Sequence, residues 1–239
     1  MPATDQIPRS SKHPRSGGDV VLFPAHGKRR ARERLLEAML LVSGEMGYER
    51  VSVQDVIERA KASRATFYKH FGDKEDCFVA AYSEATEWLY QRLEAVAKGQ
   101  QGWKEGLRAA LAELLEFCAN QPAIARAVFV EAAAAGGDAM AQHDLLMERL
   151  SRAVDGARRE ISSRQAPPPI TAAFMVGAIE TLVRAKLMSD EPETAPELLP
   201  GILHFVVMQF YGEQAAWEEL TAAPIATWRS RREAATRIP

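Results

Sequence analysis

Cysteine is nearly missing from this chain. Only Cys77 and Cys118 occur among 239 residues, too few and too far apart for a disulfide framework or a thiolate metal cluster, and both are expected as small core residues. The five histidines fall at no metal-ligand spacing, and no phosphate loop or dinucleotide fingerprint is present, so neither a metal nor a cofactor is expected. Long apolar runs are lacking as well. The longest, 201–211, is interrupted by His204 and Gln209 and falls short of the roughly 20 residues a membrane span needs; no membrane association is expected. The opening residues are polar and proline-bearing rather than basic and then apolar, which predicts no secretory leader and a cytoplasmic location. No run alternates with period two for long enough to form a strand, and this leaves an all-α chain.

What the sequence does hold is enough apolar side chain, 47% of residues, to fill the core of one large or two modest domains. Its charge is unevenly placed. Residues 1–74 carry 14 Lys and Arg against 9 Asp and Glu, and the remainder carries 16 against 23, so a basic N-terminal segment precedes an acidic body. That split suits a polyanion-binding module carried on a separate regulatory body.

Residues 1–27, rich in Pro, Gly and Ser with almost no apolar periodicity, read as a disordered basic and proline-rich arm. Helical periodicity begins near Lys28: Ala31, Leu35, Ala38, Met39, Val42 and Met46 mark one amphipathic helix ending at Gly47. Its first turns hold Lys28, Arg29, Arg30, Arg32 and Arg34. Cations there oppose the helix dipole, so contact with phosphate rather than local stability is the expected reason for them. Ser52 then caps a short helix with an apolar stripe at Val53, Val56, Ile57 and Ala60, and Ser63 caps a second after a tight turn. In that second helix Phe67 and Phe71 lie four apart and anchor one face. The other faces carry Arg64, Ala65, Thr66, Tyr68, Lys69 and His70. Gly72 stops it, and Asp73 caps a long helix through Phe78, Tyr82 and Trp88 to about Lys98.

Two short helices around a tight turn, the second polar and cationic opposite its anchor, meet the needs of a helix-turn-helix reader at about 52–71. Arg64 suits bidentate pairing with guanine, His70 suits a base edge or phosphate, the Thr66 and Tyr68 hydroxyls suit phosphate oxygens, and Ala65 suits a thymine methyl. The run from Ser63 through Arg64, Ala65, Thr66, Phe67, Tyr68, Lys69, His70, Phe71, Gly72, Asp73 and Lys74 to Glu75 resembles the recognition-helix signature of the tetracycline-repressor (TetR) family. Similarity extends back through Ser52–Val56 and Gly47–Tyr48, covering about 28–80. The resemblance implies DNA contacts at Gln54, Arg64, Ala65, Thr66, Tyr68, Lys69, His70 and Lys74. It also implies a reader domain at 28–88 and a helical regulatory and dimerisation domain at 89–239. One position departs from the family pattern: Lys61 stands in the turn where glycine is usual, and a non-glycine residue at positive φ costs on the order of 1 kcal/mol.

Further helices are expected at about 102–120, 122–135, 138–162, 170–188, 197–212 and 213–222. Ile202, Leu203, Phe205, Val206, Val207, Met208, Phe210 and Tyr211 surround most of their helix, so it must bury more than one face. The 170–188 helix offers Phe174, Met175, Val176, Ile179, Leu182 and Val183, with Gly177 and Ala178 permitting close approach. A homodimer through helices 170–188 and 197–212 is the expected solution, and its two-fold axis predicts a pseudo-palindromic double-stranded DNA operator. The resemblance further implies a small-molecule effector. Trp88, Trp103, Phe117, Phe129, Met140, Met147 and Phe174 are bulky enough to line its cavity or to be plain core. Repression relieved by that effector is the leading reading. Activation, or regulation without a ligand, shares the same DNA-binding residues. An enzyme or carrier built on a helical cavity is the alternative class, and no convergent acid–base or nucleophilic set can be placed for it. An RNA binder would need stacking aromatics that the sequence does not offer.

Overall fold

The computed structural model describes residues 30–161 and 166–221; the expected N-terminal arm, with Lys28 and Arg29, lies outside them. Every regular element among the described residues is helical. α1 (Ala31–Met46) buries Leu35, Leu36, Met39 and Leu40 completely. It ends at Gly47, whose φ of 85° is open to glycine at little cost. A 3-10 turn at Tyr48–Arg50 leads to α2 (Val53–Ala60). Here the Ser52 hydroxyl accepts from the Asp55 backbone N–H at 3.3 Å, while the Asp55 carboxylate accepts from the Ser52 N–H at 2.8 Å, a reciprocal cap that satisfies two helix-terminal donors. Hydrogen bonds from Ser52 hold the Asp55 carboxyl below the usual carboxylate range.

α3 (Arg64–His70) starts at Ser63, whose hydroxyl accepts from the Thr66 N–H at 3.0 Å. α4 (Lys74–Lys98) starts at Asp73, which accepts from the Asp76 N–H at 2.8 Å. All three caps stand where the sequence placed them.

The body follows as α5 (Trp103–Asn120), α6 (Pro122–Phe129), α7 (Gly137–Asp155), α8 (Thr171–Leu187), α9 (Leu199–Tyr211) and α10 (Glu213–Thr221). Three expected helices are shorter than their apolar patterns. The 122–135 run breaks at Val130, where φ and ψ of −120° and −46° turn Glu131–Ala135 into a 3-10 segment. The break lets the Glu131 carboxylate accept from the Tyr48 backbone N–H at 2.8 Å. The 138–162 run tightens to a 3-10 turn at Gly156–Arg159, and 162–165 lie outside the described residues. The 197–212 run starts only at Leu199, behind a 3-10 segment at Pro192–Leu198 that holds Pro196. Pro200 sits in the first turn of α9, where its missing N–H costs no helical bond.

α4 runs unbroken for 25 residues from the recognition helix into the body, packing on both α1 and α5. α1 also lies directly on α6. A Cβ added at Gly44 would fall within the carbonyl group of Ala123, so only glycine permits this approach of backbone to backbone. The N-terminal helices α1–α3 are therefore tied to the body through α4, the Gly44 crossing, and Glu131 beneath Tyr48.

Candidate functional site

The exposed surface of α3, the candidate recognition surface, is set by the helix's buried anchor. Phe67 and Phe71 are buried, with ring centroids 5.7 Å apart. At 100° per residue, that fixes Lys69 farthest from the core, flanked by Ala65 on one side and by Arg64 and Tyr68 beyond it. All four are exposed, as is His70. Tyr68 stands edge-on to Phe67 with centroids 5.4 Å apart, which orients the phenol outward. Gln54 of α2 is exposed beside them. Its side-chain carbonyl accepts from the Arg64 guanidinium at 3.3 Å, and its amide donates to Glu58 at 2.6 Å. Gln54 and Arg64 are thus brought together across the turn. Among the described residues neither Lys61 nor Lys69 has an ion-pair partner, so both charges face solvent.

Two of the expected contacts are more committed. The Thr66 hydroxyl shares a 2.8 Å hydrogen bond with the Ser63 hydroxyl and belongs partly to the cap. Lys74 is half-buried: its ammonium donates to the Tyr48 carbonyl at 3.0 Å and lies 4.1 Å from the centre of the Tyr48 ring. It fastens the 3-10 turn to the start of α4.

The basic start of α1 needs correction. Arg32 pairs with Glu84 of α4 and lies 5.8 Å from the Phe71 ring. Arg34 donates to the Ala60 carbonyl at 3.1 Å, closing one of the free carbonyls at the end of α2. Tertiary contacts, rather than phosphate or local helix stability, account for these two in the folded chain, their partners coming from elements distant in sequence.

The turn between α2 and α3 keeps the geometry of the family's usual glycine. Lys61 has φ of 50° and ψ of 49°, alone among the described non-glycine residues in positive φ. Its N–H reaches the Glu58 carbonyl at 3.2 Å, and the Ala62 N–H reaches the Ile57 carbonyl at 2.9 Å, the six-to-one closure of a left-handed helix stop.

Residues 35–81 match the family described as bacterial regulatory proteins, tetR family. Over this segment the chain is similar to the tetR family. The matched segment spans most of α1, all of α2 and α3, and the start of α4, which is the three-helix unit just built. A transcriptional repressor named KstR, from Mycolicibacterium smegmatis, is 27% identical over 117 residues, 47% of this chain and 57% of that one. The chain therefore spans less than two thirds of that relative's length. Two solved structures share the fold. The fatty acid degradation regulator FadR from Bacillus halodurans has a TM-score of 0.65 at 14% identity, over 73% of this chain and 97% of its own. The regulator FadR from Bacillus subtilis, in complex with stearoyl-CoA, has a TM-score of 0.64 at 18% identity, over 75% and 97%.

Within the body, α4, α5, α7 and α8 enclose a cavity of about 470 Å³. Trp103, Phe129 and Met147 line it, as their bulk suggested, together with Leu93, Leu111 and Val176. The other candidates have different work. Trp88 packs on Phe117 with centroids 5.9 Å apart, Met140 is no part of the wall, and Phe174 is exposed on α8. At the mouth the Glu160 carboxylate accepts from the Trp103 N–H at 2.8 Å and from the Tyr211 hydroxyl at 3.0 Å. Burial, with the neighbouring carboxylate, pushes the Tyr211 phenol up to about 12.

Sequence reasoning missed one polar feature, which reaches the wall at Glu180. Tyr82 of α4, His143 of α7 and Glu180 of α8 form a hydrogen-bonded row. No local pattern signals it, since Tyr82 and His143 stand 61 positions apart.

Proposed function

We propose that this chain is a ligand-responsive transcriptional repressor that acts as a homodimer on a pseudo-palindromic operator. The observation that carries the reading is α3 itself, with Lys69 and Ala65 displayed opposite its Phe67–Phe71 anchor and Tyr68 and Arg64 exposed along one flank. In the major groove Arg64 reads a guanine edge and Ala65 packs on a thymine methyl, while Tyr68, Lys69 and His70 hold the backbone. Gln54 positions Arg64. Thr66 and Lys74 contribute from the cap and from the Tyr48 clamp. Residues 28–88 form the reader and 89–239 the regulatory body, with α4 crossing between them.

Dimerisation is supported by an uncovered stripe. Along α8 and at its two caps, Ile170, Phe174, Leu182 and Met188 are exposed, with Gly177 and Ala178 between them, and α9 adds Phe205 and Met208. Exposed apolar side chains of this number on two helices of the body suit a second copy of the chain. An effector is supported by the apolar cavity, whose wall includes α4; a like-folded regulator holding stearoyl-CoA makes a molecule with a long apolar body the leading class. Binding that favours one setting of α4 shifts the spacing of the two readers and lowers operator affinity.

Selection of genomic fragments by the purified chain, followed by footprinting, tests the reading. Two protected half-sites related by a two-fold axis and about 34 Å apart or a multiple of it are expected. A single asymmetric footprint, or protection of no sequence above background, overturns it.

A further inference from the structure

The row that runs from Tyr82 through His143 to Glu180 at the cavity wall has a fixed direction. Tyr82 is fully buried, and its hydroxyl lies 2.9 Å from His143 Nδ1. His143 Nε2 lies 3.0 Å from Glu180 Oε1. Burial pushes the Tyr82 phenol far up, so it keeps its proton. Among the described residues that proton has one acceptor, His143 Nδ1. Any arrangement with a proton on Nδ1 would strand the phenol donor in the core, at a cost of about 1–3 kcal/mol. Nδ1 therefore accepts, Nε2 carries the ring proton, and that proton is donated to Glu180. The row ends on a carboxylate with one oxygen occupied. Its other oxygen has no protein partner among the described residues, and Glu180 belongs to the cavity wall.

Around it the wall is apolar: Val176, Ile179 and Val183 on the same helix, and Met147 facing them. The cations of the lining stay at the mouth. Lys98 and Arg152 are about 70% exposed and are paired with Glu94 and Glu148 on their own helices, and Arg159 is exposed. An anion pushed to the inner wall would meet Glu180 in a low-dielectric surround with no cation to offset it. A hydroxyl would meet an acceptor.

We propose that the effector of this cavity is an uncharged apolar molecule bearing a hydroxyl that donates to Glu180, with Tyr82–His143 holding that carboxylate in place and linking it to α4. This rests on the reading of the cavity as an effector site. Because Tyr82 lies on the helix that begins beside the recognition helix, the same row joins ligand to reader.

The test uses the full chain and three probes of similar length: decanol, its donorless isomer nonyl methyl ether, and decanoate. Binding is followed by calorimetry and by the fluorescence of Trp103, which lines the cavity, with a Trp103→Phe variant to assign the signal. Decanol is expected to bind about tenfold tighter than the ether, the worth of one charge-assisted hydrogen bond, and tighter than decanoate. In Glu180→Gln the amide carbonyl takes the His143 proton and the amide N–H faces the ligand, so the ether gains a donor and the preference collapses to within about twofold. Retained ether binding shows that this variant is folded. Equal binding of decanol and ether by the unaltered chain, tighter binding of decanoate, or an unchanged preference in Glu180→Gln overturns the hydroxyl station and leaves the cavity standing. Absence of binding by all three probes overturns the effector cavity and the station together.

Discussion

Replacing Lys61 by glycine should stabilise this protein. At φ 50° and ψ 49° the Lys61 Cβ crowds the following carbonyl, a strain of about 1–2 kcal/mol that glycine does not bear. Glycine gives part of this back, about 0.4–1 kcal/mol, by enlarging the conformational freedom of the unfolded chain. The hydrogen bonds of the turn are made by backbone groups, from the N–H of residue 61 to Glu58 and from Ala62 to Ile57, so they survive the change. The exposed lysine loses no ion pair among the described residues. The net expectation is a gain of about 0.5–1 kcal/mol, or about 2 °C in midpoint for a chain of this size. Differential scanning calorimetry of Lys61→Gly beside Lys61→Ala separates backbone from charge, because alanine removes the charge but keeps the Cβ. Operator affinity is measured separately, since the lost cation lies beside the recognition helix. A glycine variant no more stable than the alanine variant would refute the argument from left-handed strain.

Other consequences follow from named contacts. Gly44→Ala places a methyl group within the Ala123 carbonyl and should destabilise the chain by about 3 kcal/mol or more, because two helix backbones must separate; chemical denaturation reads this, and a cost below about 0.5 kcal/mol contradicts the close crossing of α1 and α6. Phe174→Asp should weaken self-association with little change in the stability of the single chain, since Phe174 is 71% exposed within it. Sedimentation velocity at micromolar concentration reports a shift toward monomer, and an unshifted dimer rules out α8 as the contact. Burial pushes the Cys118 thiol up to about 12 and Cys77 higher still. Both thiols should resist alkylation at pH 8 until urea is added, and stability should decline as pH climbs above about 9, where unfolded thiols ionise and native ones do not. Alkylation of the native chain at the unfolded rate contradicts this.

The sequence was most readable where a local rule decides the outcome. Ser52, Ser63 and Asp73 announce their helices because capping is settled within three residues. Phe67 and Phe71 announce a buried face because helical spacing is settled within four. The glycine-like turn at Lys61 followed from the family pattern rather than from the residue, since lysine gives no sign of positive φ. Interactions across long separations left no trace. The break at Val130 sets Glu131 against Tyr48, 83 positions away, and Arg34, expected at phosphate, braces the Ala60 carbonyl. Lys74, placed by the family pattern at the DNA, also clamps Tyr48. Tyr82, His143 and Glu180 come from three helices whose separate patterns are apolar stripes with one polar interruption each, and only packing brings those interruptions into a row.

The central claim is that this chain reads DNA through α3 as a dimer. Fluorescence anisotropy of the purified protein against tiled DNA from upstream of its own coding sequence, with random DNA as the reference and salt varied, tests it most directly. The account predicts a salt-sensitive complex of two subunits on one pseudo-palindromic tile, at least about a thousandfold tighter than random DNA. Arg64→Ala should lose about tenfold or more of that discrimination, and Lys69→Ala should weaken all tiles alike while lowering the salt slope by about one per contact. Binding to every tile no tighter than to random DNA, with Arg64→Ala indistinguishable from the unaltered chain, contradicts it.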